Sequence, residues 1–226
     1  MPSPPPASSR RVYLIPGLGA DARLFRDVKL PGCEVTILEW LDAGPNEAFE
    51  DYIDRLVAPV DWSSKPVFVG VSLGGIVTVN ICQRYPARKG IIVSSIKTHH
   101  ELPWLLRIVT RGRLHTLLPM WLMRRRNGAV NWYFGVTTTL SKALLHDILK
   151  GSKPPFTRWA LTQIGRWRNS AIPEGLVHIH GTADRVFPFH RIKGCIPVQD
   201  GHHFMVADRS EEISALLMDA INSSYL

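Results

Sequence analysis

Short, continuously apolar runs recur along this chain, separated by stretches in which apolar residues return every third or fourth position. RRVYLIPG (10–17), CEVTILEW (33–40), PVFVGV (66–71), GIIVSS (90–95), GLVHIHG (175–181) and CIPVQDG (195–201) have the length and composition of strands. Runs such as PVFVGV, which lack polar alternation, are those of strands covered on both faces. Between the runs lie helical spacings: a stretch from Asp21; Asn46–Val57, where Phe49, Ile53, Leu56 and Val57 share a face; Gly74–Arg84, stopped by Pro86; and Ser210–Asn222, which closes the chain. Strands alternating with helices predict an α/β fold, a mostly parallel sheet of about six strands with helices on both faces.

Residues 97–170 break that rhythm. They hold no convincing strand but several helical pieces, punctuated by Pro103, Pro119, Gly128, Pro154 and Pro155. A helical insertion after the fourth strand is expected to form a cap over the strand ends, where such sheets bind ligands. The expected organisation is a tail at 1–10, a core of 11–96 and 171–226, and a cap at 97–170. There is no internal repeat.

Charge supports the division. The chain carries 27 Lys+Arg and 19 Asp+Glu over 226 residues, a net +8. Within 97–170 stand 13 of the basic residues and only two acids, Glu101 and Asp147, for +11, so the remaining 14 basic and 17 acidic residues sum to −3. All the excess positive charge lies in the insertion. No apolar run reaches the roughly 18 residues that a membrane-spanning helix needs, and the opening MPSPPPASSR has no apolar core of a signal peptide, so the expected compartment is the cytoplasm. Cys33, Cys82 and Cys195 are far apart and form no CxxC pair, which argues against a disulfide framework or zinc ribbon and for small buried apolar residues.

Chemistry enters with GVSLG, 70–74. A serine on a sharp strand-to-helix turn has strained backbone angles, and neighbours with a Cβ collide with the strand and helix, so glycine flanks it. Ser72 stands in that context. A serine hydroxyl needs a base, and the base an orienting carboxylate. HGTADRVFP places Asp184 beyond the fifth strand run, and DGHHFM places His202 and His203 beyond the sixth, in the order Ser, Asp, His. The developing oxyanion needs donors. The Leu73 amide follows the nucleophile, and IPGLGAD (15–21) offers the Leu18 amide between Gly17 and Gly19; that loop lacks the lysine and spacing of a phosphate loop.

Together these segments resemble the α/β-hydrolase superfamily over nearly the whole chain from Val12: GVSLGG its nucleophile elbow, PGLG its oxyanion loop, HGTADRVFP its acid loop and GHHFM its histidine loop. VYLIPGLGAD, SSIKTHHELP, IHGTADRVFP and GHHFM are similar to small bacterial α/β-fold hydrolases and carboxylesterases. The resemblance implies a serine hydrolase cleaving carboxylic esters through an acyl-enzyme, with Ser72 as nucleophile, Asp184 as orienting acid, His203 as base and Leu18 and Leu73 at the oxyanion hole, and with no metal or organic cofactor. That group has Gly-Gly-His before Phe-Met, which aligns the base with His203; His202 stands at a glycine position and is the alternative base. Pro16-Gly17 replaces the His-Gly frequent in the superfamily's oxyanion loop.

Other readings compete. His178 and His180 with Asp184 faintly resemble a metallohydrolase HxHxDH site, but no histidine follows the aspartate. Arg124, Arg125 and Arg126, with Arg107, Arg111 and Arg113 and the interleaved Trp104, Trp121, Trp132, Trp159 and Trp167, fit nucleic acid or an anionic membrane. The preferred reading is a cap with a solvated basic outer face and an apolar inner face over the substrate, without nucleic acid as partner. The expected partner is a small-molecule ester with an apolar group. An acyltransferase or lactonase on the same triad, and a non-catalytic binding protein on a hydrolase scaffold, are the alternatives. Natural substrate and oligomeric state stay open.

Overall fold

The computed structural model of the protein describes residues 10–112 and 128–223. Six strands form one all-parallel sheet: β1 (Arg10–Ile15), β2 (Cys33–Ile37), β3 (Val67–Val71), β4 (Lys89–Val93), β5 (Val177–Gly181) and β6 (Ile196–Val198), ordered β2-β1-β3-β4-β5-β6. Among the described residues the helices are α1 (Phe49–Leu56), α2 (Leu73–Arg84), α3 (Trp104–Arg111), α4 (Gly128–Phe134), α5 (Thr139–Gly151), α6 (Pro154–Arg166), α7 (Met205–Asp208) and α8 (Ser210–Asn222). The N-terminal tail up to residue 9, and within the insertion Arg113, Pro119, Trp121, Arg124, Arg125 and Arg126, lie outside the described residues.

Alternation along each strand divides the core in two. Val12, Leu14, Val69, Ile91, Val93 and Ile179 point to the face covered by α8 through Ile213, Leu217 and Ile221. Tyr13, Ile15, Phe68 and Ile92 point to the other, covered by α1 and α2 through Ile53, Leu56, Ile76 and Val77. The central β3 and β4 are buried along their whole length, β3 as its unbroken apolar sequence requires and β4 with Lys89 at its start donating to the Ala220 and Ser223 carbonyls.

Element ends differ from the apolar runs for local reasons. β1 stops at Ile15 because Pro16 has no N–H for a further rung. The stretch from Asp21 forms only a short 3-10 turn, Ala22–Phe25, capped by the Asp21 carboxylate on the Arg23 amide. α1 begins at Phe49 rather than Asn46, whose φ of 77° is left-handed. β6 keeps three residues, with Pro197 tolerated because the strand is at the edge. Arg10 belongs to β1 rather than to the tail, and Gly128 lies in α4.

Topology decides where a site can form. The chain steps outward from β1 to β2, then crosses back to lay β3 on the other side of β1, so the winding direction reverses between β1 and β3. The loops leaving the two strands diverge there and open a crevice at the carboxyl ends. Helices α3 to α6 all fall between β4 and β5.

Candidate active site

Ser72 sits at the β3 end of that crevice with φ 53° and ψ −114°, a conformation an L-residue holds only when its surroundings enforce it. The surroundings are glycines. A Cβ on Gly70 would lie 2.1 Å from the Gly74 carbonyl oxygen, and one on Gly74 would lie 2.2 Å from that of Ile15. Gly75 is equally tight, its Cβ position 2.3 Å from Ser95 Oγ. The glycines thus let β3, α2 and the end of β1 approach closely enough to hold Ser72 out of the sheet. Ser72 N donates to the Val93 carbonyl at 3.0 Å, and its own carbonyl accepts from Gly75 N at 3.0 Å and from Ser95 Oγ at 2.6 Å.

The acid and histidine loops lie side by side because Gly181 and Gly201 let them. A Cβ on Gly181 would meet the Gly201 carbonyl at 2.1 Å, and Ala183 N donates to that same carbonyl at 2.9 Å. Asp184 turns back on its own loop, Oδ1 accepting from Val186 N at 2.8 Å and Phe187 N at 2.9 Å. Its Oδ2 faces His203 Nδ1 at 2.8 Å, and His203 Nε2 lies 3.0 Å from Ser72 Oγ. Burial alone would push the Asp184 carboxyl up; the neighbouring His203 and His180 rings, the hydrogen bond from His203 and that from the Phe187 amide outweigh it and hold the carboxyl below its usual range. A carboxylate therefore accepts the proton on Nδ1, which leaves Nε2 free to accept from the serine hydroxyl.

Of the two adjacent histidines, the structure brings His203 to Ser72 and not His202. His202 Nδ1 faces the Ala183 carbonyl at 2.9 Å, and its ring packs against Gly135, where a Cβ would meet it at 2.3 Å. The His203 ring is held edge-on between Phe134 of α4 and Phe187 of the acid loop, centroids 5.7 and 5.5 Å away.

The loop after β1 completes the surroundings of Ser72. Ala20 N donates to the Gly17 carbonyl at 3.0 Å, closing a four-residue turn, and Gly19 at its third position has the φ of 71° that a type II turn demands. Trp40 Nε1 donates to the same Gly17 carbonyl at 2.9 Å and pins the turn. A Cβ on Gly17 would stand 3.4 Å from that of Ser72, so the loop passes directly against the serine. Leu18 and Leu73 both line the cavity beside Ser72, and Leu73, first residue of α2, has an amide without an intrahelical partner.

His178 and His180 share one face of β5 and are buried, with their nitrogens directed at each other and at a carbonyl. His180 Nε2 lies 2.8 Å from the Phe187 carbonyl, which can only accept, so Nε2 carries the proton and Nδ1 accepts from His178 Nε2 at 3.1 Å. Among the described residues no group of three or more His, Cys, Asp or Glu is placed to hold a metal ion. Instead His180 braces Phe187, whose amide holds Asp184 and whose ring borders His203. Burial lowers the pKa of both rings from the ordinary 6.5, His178 the more strongly. Their unfolded counterparts take up protons first as pH falls, so the stability they contribute is complete above about 6.5 and is lost below it. Thermal denaturation from pH 7 to 5 is expected to show a steeper fall in Tm for the native protein than for His178→Gln. Parallel profiles would contradict the buried neutral pair.

The cavity over Ser72 has a volume of about 180 Å³. Leu24, Leu145 and Ile148 line it together with Leu106, Leu161 and Ile164, and among the described residues no ionisable side chain but His203 and the Tyr133 phenol does so. Among the described residues of 97–170, Leu106, Leu145, Ile148, Leu161 and Ile164 line the cavity and Trp104, Trp132, Trp159 and Trp167 do not. Trp159 belongs to an aromatic cluster with Phe49, Tyr52 and Phe156, its Nε1 donating to the Glu47 carbonyl at 2.9 Å. Trp167 is buried elsewhere in the core, while Trp104 and Trp132 are 62% and 63% exposed.

Ser95, Trp40, Phe134, Phe187 and His180 support the site without having been singled out for it in the sequence. Ser95 falls in SSIKTHHELP, and the left-handed Ser94 before it, φ 48°, turns its hydroxyl toward the elbow. His180 and Phe187 fall in HGTADRVFP, while Trp40 and Phe134 carry no motif, since their contacts join segments far apart in the chain. The three cysteines are free and half-buried rather than buried, and burial raises each thiol pKa, that of Cys82 to about 12.

A family model described as the alpha/beta hydrolase family matches residues 12–216. Similar solved structures include a thermophilic esterase from Thermogutta terrifontis, 13% identical with a TM-score of 0.65 over 94% of this chain and 89% of that one. A bromoperoxidase from Bacillus anthracis is 15% identical with a TM-score of 0.70, covering 96% and 93%. An enol-lactonase from Burkholderia xenovorans LB400 is 15% identical with a TM-score of 0.61, again covering 96% and 93%. At such identities the likeness is one of fold. Among curated proteins nothing matches the chain.

Proposed function

The chain belongs to the alpha/beta hydrolase family, and from that premise we propose that it is a serine hydrolase cleaving small or medium apolar carboxylic esters. The observation that carries this reading is the continuous line from Asp184 Oδ2 through the His203 ring to Ser72 Oγ, 2.8 and 3.0 Å, opening on an apolar cavity. His203 Nε2 takes the hydroxyl proton as Ser72 Oγ attacks the ester carbonyl carbon, and Asp184 stabilises the imidazolium through Nδ1. The amides of Leu18 and Leu73 receive the oxyanion. Collapse of the tetrahedral intermediate breaks the bond to the alkoxy group, which leaves as the alcohol with the proton from Nε2. Water, deprotonated by His203, then releases the carboxylic acid and restores Ser72.

The segment 97–170 acts in this reading as a cap on a core formed by 11–96 and 171–226. Its helices α3, α5 and α6 supply the apolar walls, excluding water and receiving the acyl or alcohol chain. Among the described residues no charged partner for an anionic substrate faces the cavity, so a carboxylate on the acyl chain would enter it without compensation from them.

A series of p-nitrophenyl esters, run beside labelling with a fluorophosphonate, tests the proposal. The expected kcat/KM rises from acetate to a medium-chain ester, and a hemisuccinate falls about a hundred-fold below the uncharged ester of equal length. The label is expected on Ser72. Labelling elsewhere, or no turnover of any ester, would remove the assignment, and a product ester formed from an added alcohol would make it an acyltransferase.

A further inference from the structure

Helix α3 has two apolar faces, and only one is needed by the fold. At 100° per residue, Leu106 and Thr110 point to one side, where they line the cavity. That side is fixed by a close crossing with α6: a Cβ on Gly165 would stand 2.7 Å from that of Thr110. The opposite side therefore faces outward, and it carries Trp104, Leu105 and Ile108, exposed by 62%, 57% and 52%. Three large apolar side chains within about 100° of arc on a short helix form a patch, where scattered single residues would need no explanation.

The charge around this patch is of one sign. Arg111 lies on the same arc as Trp104 and Ile108, and Arg107 flanks it. Arg168, just beyond α6, is near enough to both that their positive charges, after partial burial, lower its pKa. Arg107 donates to the carbonyls of His99, His100 and Leu102, and Arg168 to those of Gly165 and Trp167. Among the described residues no carboxylate lies within ion-pair distance of any of the three. The sequence contains no Asp or Glu from 102 to 146, and Glu101 is turned inward onto Lys97.

We infer that this face of α3 is a docking surface for an anionic lipid membrane, with Trp104, Leu105 and Ile108 entering the headgroup boundary and Arg107, Arg111 and Arg168 meeting the lipid phosphates. Apolar anchors beside unpaired arginines match a surface that is anionic outside and apolar just beneath. A nucleic acid offers the charge without the apolar layer. The same helix forms a wall of the cavity, so docking would place the site beside a reservoir of apolar molecules. Among the described residues no helix is long and apolar enough to cross a membrane, so the association is peripheral.

Sedimentation with vesicles tests this, using Ser72→Ala protein so that the result is independent of the proposed hydrolysis. The expected result is binding to phosphatidylglycerol/phosphatidylcholine vesicles that weakens with salt and far exceeds binding to pure phosphatidylcholine. The double variant Trp104→Ser/Ile108→Ser should lower vesicle affinity at least about ten-fold, and Arg111→Ala about five-fold, the effect of one basic side chain at an anionic surface. Made in the active background, these variants should hydrolyse a soluble ester as the native protein does, since neither Trp104, Ile108 nor Arg111 lines the cavity. Failure to bind anionic vesicles would overturn the inference. So would duplex DNA binding as tight as vesicle binding and unaffected by the apolar substitutions, or self-association abolished by the double variant in a protein that ignores vesicles.

Discussion

Replacing Ser72 with alanine is expected to lower kcat for an activated ester by on the order of a million-fold, the loss found when one member of a serine triad is removed from subtilisin. The hydroxyl makes one hydrogen bond of its own, to His203 Nε2, while the elbow is held by the backbone of Ser72 and by Ser95 Oγ. Removing Oγ therefore deletes the nucleophile and leaves the frame, and Tm should stay within a few degrees of the native value. His203→Ala should be comparably damaging because the three groups act as a unit. His202→Ala should be mild, its ring being engaged with Ala183 and Gly135 and remote in role from the serine. Steady-state hydrolysis of a p-nitrophenyl ester by the three variants checks this. Activity retained in Ser72→Ala would end the proposed mechanism, and a severe His202→Ala beside a mild His203→Ala would move the base.

Much of this was legible in the sequence because the informative features are local. An apolar run ending in Gly-x-Ser-x-Gly forces a strand, a sharp turn and a helix within a few residues, and the observed collisions at Gly70 and Gly74 are the steric reason. The six strands and their parallel sense followed from the same kind of signal, with differences at element ends, as at Asn46 and Pro16, where one residue's backbone decides, and in the stretch from Asp21, which forms only a 3-10 turn. Two kinds of feature were hidden. The bracing of the site by Trp40 and Ser95 depends on side chains that reach backbone carbonyls of other strands' loops, which spacing along the chain does not encode. An amphipathic pattern says that a face is apolar, not which surface it covers. α3 proved apolar on both sides, so Trp104 is outside while Leu106 lines the cavity.

Gly74→Ala is expected to damage folding and activity together, and so to separate the role of the elbow's frame from that of its hydroxyl. The added methyl would lie 2.2 Å from the Ile15 carbonyl oxygen and 2.5 Å from that of Pro16, both backbone atoms that cannot rotate away. α2 must then move off the end of β1, or β1 off β3, in a core where Leu73, Ile76, Val77 and Ile15 are almost fully buried. Overpacking of this kind destabilises by about 1–3 kcal/mol, more where backbone is the obstacle. For a chain of this size that corresponds to a Tm lowered by roughly 2–4 °C per kcal/mol. Activity should fall further than stability explains. Displacing α2 shifts the Leu73 amide proposed for the oxyanion and tilts Ser72 Oγ out of its 3.0 Å contact with His203, a geometry that matters at the level of fractions of an ångström. The measurement is kcat/KM alongside thermal denaturation, with Ser72→Ala as the reference that loses activity at nearly constant Tm. A Gly74→Ala protein with native Tm and native turnover would show that α2 and β1 are not in the close contact on which the position of Ser72 depends.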